Sequence, residues 1–285
     1  MYKLFVYGTL RRGETHHGLL GVSHCVSLLA QVSGSMVDTG FGYPAMMEGS
    51  GKVCGEIYEI DEEMLLRIDA LEEYYGPGDP RNLYERVETT AYTDQGEVKV
   101  LTYVSNRFRF DSTIPYGDWK LYQMTKLQNV LYYAYGSCMD DARFKENGVS
   151  EWFCDVIGRG MVFGCNLQFT RHAHNGGRAD LVETGGVTEG KLYRIPVAVL
   201  EGYLYEREGV KSKVYRPVVI PITLDNHRVV DAITFVVVEK KTELAPPQEY
   251  MEEILRGAMP IVSSSYYEAL LDRFISAFGY REKKD

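Results

Sequence analysis

Apolar and polar positions alternate with a two-residue period along Val98-Lys99-Val100-Leu101-Thr102-Tyr103-Val104, the pattern of a strand with one face buried. β-Branched runs over 218–222 and 232–238 predict further strands. The period changes at 62–71, where Met64, Leu65, Ile68 and Leu71 fall on one helical face behind Asp61, a good N-cap. Helical spacing returns at 248–257 and 264–278. Strands therefore dominate, with a few helices between and after them.

The pattern also repeats. Leu4-Phe5-Val6-Tyr7-Gly8-Thr9-Leu10 returns as Tyr132-Tyr133-Ala134-Tyr135-Gly136-Ser137-Cys138-Met139, placing Tyr135 128 positions after Tyr7. Val53-Cys54-Gly55-Glu56-Ile57-Tyr58 returns around Gly190, 135 positions on. Glu72, after a helical stretch, corresponds to Glu208 at 136, and Tyr84-Glu85-Arg86-Val87 to Tyr215-Arg216-Pro217-Val218 at 131. Four matches in one order, with small drifts that loop insertions produce, argue for two copies of one fold. The boundary falls between Trp119 and Val130, across a connector, 120–128, with the composition of a short helix. The expected architecture is α+β: two tandem small mixed β-barrel units with flanking helices.

The net charge of −9 over 285 residues, without a basic stripe, argues against nucleic acid or an anionic membrane as partner. Five cysteines without a CxxC pair read as reduced thiols, hence a cytoplasmic protein. The chain enters a strand-like run at once, without a signal peptide's apolar stretch, and no run approaches a membrane span. The charged end, 281–285, reads as a solvated tail.

Two features carry chemistry. A strand that stops at Tyr-Gly-[Thr/Ser] can aim successive backbone N–H groups at one point and hold a carboxylate or an oxyanion. Alone it is an ordinary turn; here it recurs. Glu72 and Glu208 each follow a helical turn among apolar and aromatic residues, where desolvation would raise a carboxyl pKa and suit it to proton transfer. A lone glutamate of this kind is commonly just a solvated surface group. His16-His17 and His172/His174 are weak metal pairs without a third ligand. Cys138 reads as a buried thiol, with no histidine beside it in sequence to activate it.

Taken together these residues resemble the γ-glutamylcyclotransferase-like family. Val6-Tyr7-Gly8-Thr9-Leu10-Arg11-Arg12-Gly13, Tyr43-Pro44-Ala45-Met46 and Gly117-Asp118-Trp119 make residues 1–122 similar to the AIG2-like, γ-glutamylamine cyclotransferase members. Glu206-Arg207-Glu208-Gly209-Val210-Lys211-Ser212 and Ala245-Pro246-Pro247-Gln248-Glu249-Tyr250 make residues 130–285 similar to γ-glutamylcyclotransferase proper, with C-terminal helices. The resemblance implies an intramolecular acyl transfer that releases 5-oxoproline and an amine from a small γ-glutamyl substrate, with no cofactor and no metal. It implies catalytic Glu72 and Glu208. It implies substrate-holding loops at Tyr7, Gly8, Thr9 and Leu10, and at Tyr135, Gly136, Ser137, Cys138 and Met139. Two departures stand out: Cys138 where the family has Asn, and Glu73 where it has Gly. They make the first loop the better preserved, leave Glu73 as a rival to Glu72, and keep open a protein that binds a γ-glutamyl ligand without turning it over. A third reading is a domain pair that scaffolds a partner. The leaving amine and the oligomeric state are not legible.

Overall fold

The computed structural model describes residues 1–105, 107 and 113–281. Asn106, 108–112 and the tail residues 282–285 lie outside the described residues. The chain divides into two compact units, Met1–Met124 and Thr125–Asp285.

In the first unit, strands β1 (Tyr2–Val6), β2 (His24–Asp38), β3 (Pro44–Ile60), β4 (Glu85–Thr93) and β5 (Gly96–Val104) close a barrel in the order β1-β3-β2-β4-β5. All neighbours are antiparallel except β1 and β5, which run parallel through Leu4 and Leu101. The helix Glu62–Leu71 connects β3 to β4, and Asp61 caps it by accepting from the Met64 N–H, as its sequence position predicts. The connector is helical only over Trp119–Met124, shorter than the 120–128 expected.

In the second unit, β6 (Asn129–Ala134), β7 (Val156–Phe163), β10 (Val187–Pro196), β11 (Tyr215–Leu224) and β12 (Val229–Val237) close a second barrel, while β8 (Asn166–Ala173) and β9 (Gly176–Val182) form a separate hairpin. The barrel order, β10-β6-β12-β11-β7, is the cycle of the first barrel with β6, β7, β10, β11 and β12 in the places of β1, β2, β3, β4 and β5. Its parallel seam, Tyr132 against Ile233, stands where Leu4 meets Leu101. The C-terminal helices, Gln248–Ala258 and Ser264–Phe278, run almost as the periodicity sets them.

The duplication holds bond by bond. The Thr102 hydroxyl donates to the Phe5 carbonyl at 3.1 Å, and the Thr234 hydroxyl to the Tyr133 carbonyl at 2.8 Å. The Tyr7 hydroxyl donates to the Tyr103 carbonyl at 2.9 Å, and Tyr135 to Phe235 at 2.5 Å. Gly55 and Gly190 are required by sterics: a Cβ there would sit 2.3 Å from the Val6 or the Ala134 carbonyl oxygen, under the ring of Phe5 or Tyr133. Each barrel is thus pinched where β3 or β10 runs antiparallel beside the loop-bearing strand, and an aromatic ring fills the space that a side chain would take. The two mixed barrels with flanking helices are the α+β tandem expected from the sequence.

Candidate active sites

Each first strand delivers its Tyr-Gly turn to one end of its barrel. Arg11 N–H donates to the Gly8 carbonyl at 3.0 Å, and Met139 N–H to the Gly136 carbonyl at 3.0 Å, so both turns curl tightly. Within the curl the N–H groups of Thr9 and Leu10, and of Ser137 and Cys138, donate to nothing among the described residues. Exposed toward a cavity, such donors are free for a ligand's oxygen. A Cβ on Gly8 would meet Pro44 at 2.9 Å, and one on Gly136 would meet Ala179 at 2.9 Å, so the close packing behind the turn admits only glycine.

A helix end faces each turn. Glu72 ends Glu62–Leu71, and Glu208 ends the helical run Val197–Val199, Leu200–Leu204, Tyr205–Arg207, whose middle is a wide π-type turn. The two ends bond alike. Glu72 N–H donates to Ile68, Glu73 to Ala70 and Tyr74 to Asp69; Glu208 donates to Leu204, Gly209 to Glu206 and Val210 to Tyr205. The residue after each glutamate is left-handed, Glu73 at φ 51° and Gly209 at φ 61°. Glu72 and Glu73 both line the first cavity, Glu72 half-buried and Glu73 exposed. Glycine suits this position, and Glu73 occupies it at a steric cost.

Glu72, Tyr7, Gly8, Thr9 and Leu10 line one cavity of about 170 Å³ in the first unit. Glu208, Tyr135, Gly136, Ser137 and Cys138 line another of about 530 Å³ in the second. Met139 does not line it; its side chain is buried beneath the turn. Burial pushes the Glu72 carboxyl up to about 7, and its position past the carboxyl end of a helix acts in the same direction. No described residue hydrogen-bonds its side chain. Burial also raises the Glu208 carboxyl, against the opposing pull of Arg207 and Arg171. Cys138 Sγ lies 3.9 Å and Arg207 Nε 3.6 Å from Glu208 Oε1. The Cys138 thiol is itself raised by burial, which makes it a poor nucleophile.

The turns are held from behind by ion pairs, fully buried in the first copy and, in the second, joining a buried lysine to an exposed aspartate. In the first unit Arg11 pairs with Glu56 at 3.1 Å and Asp118 at 2.7 Å, all three side chains nearly inaccessible. Glu56 also accepts from Arg12 N–H and from the Tyr58 hydroxyl, and Lys120 caps the Arg12 carbonyl. In the second unit Lys191 stands at the place of Glu56 and pairs with Asp141 at 2.7 Å, while Tyr193, at the place of Tyr58, bonds Asp141 and the Cys138 carbonyl.

Sequence reasoning missed several cavity residues. His16, weighed only as half of a weak metal pair, lines the first cavity with Nδ1 3.0 Å from Thr9 Oγ1. Arg171 and Arg178 line the second. The Asn175-Gly176 pair signals a hairpin here, but a turn centred on it would set Arg171 opposite Asp180; the chain turns at His174-Asn175 instead, which sets Arg171 opposite Arg178. Among the described residues no cluster of three or more His, Cys, Asp or Glu could hold a metal ion, and no helix is long and apolar enough to cross a membrane.

The family described as "Gamma-glutamyl cyclotransferase, AIG2-like" matches residues 4–121, and the AIG2-like family matches residues 188–270. YkqA of Bacillus subtilis (strain 168) is 41% identical over 273 residues, covering 94% of this chain and 95% of YkqA. The chain belongs to the AIG2-like γ-glutamyl cyclotransferase family, as a tandem of two such units. The crystal structure of YkqA matches it with a TM-score of 0.85 at 40% identity, over 96% of this chain and 98% of that one. The Niallia circulans γ-L-glutamyl-butirosin B γ-glutamyl cyclotransferase is 47% identical over 124 residues, 44% of this chain and 79% of its own length. For a family member, the two turn-and-glutamate cavities are the places to look for chemistry.

Proposed function

We propose that the chain is a γ-glutamylcyclotransferase with two catalytic domains, residues 1–122 and 130–285, each cyclising a small γ-glutamyl substrate to 5-oxoproline. The observation that carries this reading is repeated: a desolvated carboxylate and two unbonded N–H groups line one cavity, in both units. In the reaction the substrate's α-nitrogen attacks its own γ-carbonyl carbon. A ring C–N bond forms and the bond to the leaving nitrogen breaks. Of the three protons on the α-ammonium, one stays on the ring nitrogen. The glutamate carries the other two in turn to the departing nitrogen, which leaves as an ammonium. Atoms and charge balance without water, metal or cofactor.

Glu72, with its carboxyl at about 7, is poised to take and return a proton near neutral pH. Glu208 is the matching acid/base in the second cavity. The free N–H groups of Thr9 and Leu10, and of Ser137 and Cys138, hold the substrate's carboxylate or the oxyanion of the tetrahedral intermediate. Tyr7 and Tyr135, each tied to a carbonyl of the neighbouring strand, fix where the turns lie. The main contribution of each cavity is to fold the γ-glutamyl chain into ring geometry. Incubation with a panel of γ-glutamyl amines, amino acids and peptides, followed by detection of 5-oxoproline, tests the reading. Binding of these compounds without any 5-oxoproline would leave only a binding protein.

A further inference from the structure

The hairpin β8–β9 stands where the paired ends of β2 and β3 stand in the first unit, Ala179 taking the place of Pro44, and it brings two arginines over the second cavity. Arg171 on β8 stands directly opposite Arg178 on β9 in the strand register. Directly opposed side chains share a face of the hairpin, and like charges so placed repel. Arg178 is held in position: it donates to Asn175 Oδ1 at 2.6 Å and to the Gly177 carbonyl at 3.0 Å, and it lies over the Tyr250 ring at 4.8 Å. Arg171 has no hydrogen-bond or ion-pair partner among the described residues; it lies 5.9 Å from the Tyr215 ring, and its charge reaches the Glu208 carboxyl without bonding to it. A repelling pair with one unpartnered guanidinium on a cavity wall is an arrangement that an anion completes.

The γ-glutamyl group is common to both cavities and is met in both by the same turn and glutamate. Among the described residues the first cavity has no arginine or lysine in its lining. The arginine pair is therefore surplus to what the γ-glutamyl half needs, and the larger second cavity has room beyond it. Resting on the function proposed above, we infer that Arg171 and Arg178 determine leaving-group specificity in the second cavity. They select γ-glutamyl peptides whose departing half carries carboxylates, above all an acidic residue, while the first cavity takes uncharged leaving groups.

The test uses the full chain carrying Glu72→Gln, so that turnover reports the second cavity. 5-Oxoproline release is compared for γ-glutamyl-glutamate, γ-glutamyl-alanine, γ-glutamyl-alaninamide and a γ-glutamyl alkylamine. Arg171→Gln is expected to lower kcat/KM for γ-glutamyl-glutamate by about ten- to a hundredfold, chiefly through KM, as loss of a charge-assisted contact does. Because Arg171 also acts on the Glu208 carboxyl, the two uncharged leaving groups report the loss common to all substrates, and γ-glutamyl-glutamate should fall about tenfold or more beyond them. Arg171→Lys should recover part of the loss. An equal fall for every substrate would overturn the inference and put the pair on the substrate's own α-carboxylate. If no substrate yields 5-oxoproline, the proposed function fails separately, and calorimetric binding of γ-glutamyl-glutamate to Glu72→Gln/Glu208→Gln then decides. Weaker binding after Arg171→Gln supports the anion site, and unchanged or undetectable binding removes it.

Discussion

Replacing Glu72 with Gln should make the first unit more stable while it stops the chemistry there. The carboxyl has an ordinary value of 4.5 and is pushed up to about 7 in the folded chain by burial. Below pH 4.5 it is protonated in both folded and unfolded states and costs nothing. Between pH 4.5 and 7 the folded state binds more proton than the unfolded state, so stability falls as pH rises, and the full cost is present above pH 7. At 1.36 kcal/mol per unit, and discounted because the residue is half-buried rather than sealed, the cost is about 2–3 kcal/mol. The neutral, nearly isosteric amide removes it. Urea titrations of wild type and Glu72→Gln at pH 5 and pH 8 measure the difference. The buried Trp119 is the fluorescent reporter, in a Trp152→Phe background that silences the second unit. The variant should be stabler by about 2–3 kcal/mol at pH 8 and nearly equal at pH 5. Equal stability at both pH values, or a less stable variant at pH 8, would refute the desolvated carboxyl on which the acid/base role depends.

Other outcomes follow from the same geometry. Glu73→Gly should raise stability by about 0.5–1 kcal/mol, because relief of the left-handed backbone outweighs the added chain entropy; thermal denaturation checks it. Arg11→Met leaves Glu56 and Asp118 buried without their counter-charge and should cost about 3–5 kcal/mol, read by the same titration. Cys138→Asn gives Glu208 an amide donor in place of a weak thiol, favouring its charged form. The acid limb of the second cavity's pH–rate profile, measured with Glu72→Gln, should then move to lower pH, and no movement would separate Cys138 from Glu208.

Much of the fold was legible because local signals agree with it. The helix at 62–71 had both its periodicity and its cap, and the two C-terminal helices had clear apolar faces. The repeat was visible because the residues that cannot change, Gly55 and Gly190 under their aromatic rings and Tyr7 and Tyr135 bonded across the barrel, are spaced alike in both copies. The connector was read too long, since nothing in 120–128 marks a stop at Met124. What the sequence hid is what the copies do differently. Glu56, buried against Arg11, becomes Lys191, which reaches the exposed Asp141 instead, and that change of sign leaves no match to align. Asp69, which pairs with Arg86 and Tyr103, becomes Tyr205, edge-to-face with Phe235 at 6.0 Å. The arginine pair of the second cavity lies seven positions apart in a segment read for its histidines, and only the hairpin register brings the two side chains face to face. Glu73 competed with Glu72 on paper because adjacency in sequence says nothing of burial. In the fold both line the cavity and differ in burial, Glu72 half-buried with its carboxyl raised and Glu73 exposed.

The most direct measurement is 5-oxoproline release by wild type, Glu72→Gln, Glu208→Gln and the double variant, each confirmed folded by circular dichroism. The substrates are a γ-glutamyl alkylamine and γ-glutamyl-glutamate. The account predicts that Glu72→Gln loses most turnover of the amine, Glu208→Gln most turnover of the acidic dipeptide, and the folded double variant essentially all of both. A double variant that keeps wild-type release would contradict it.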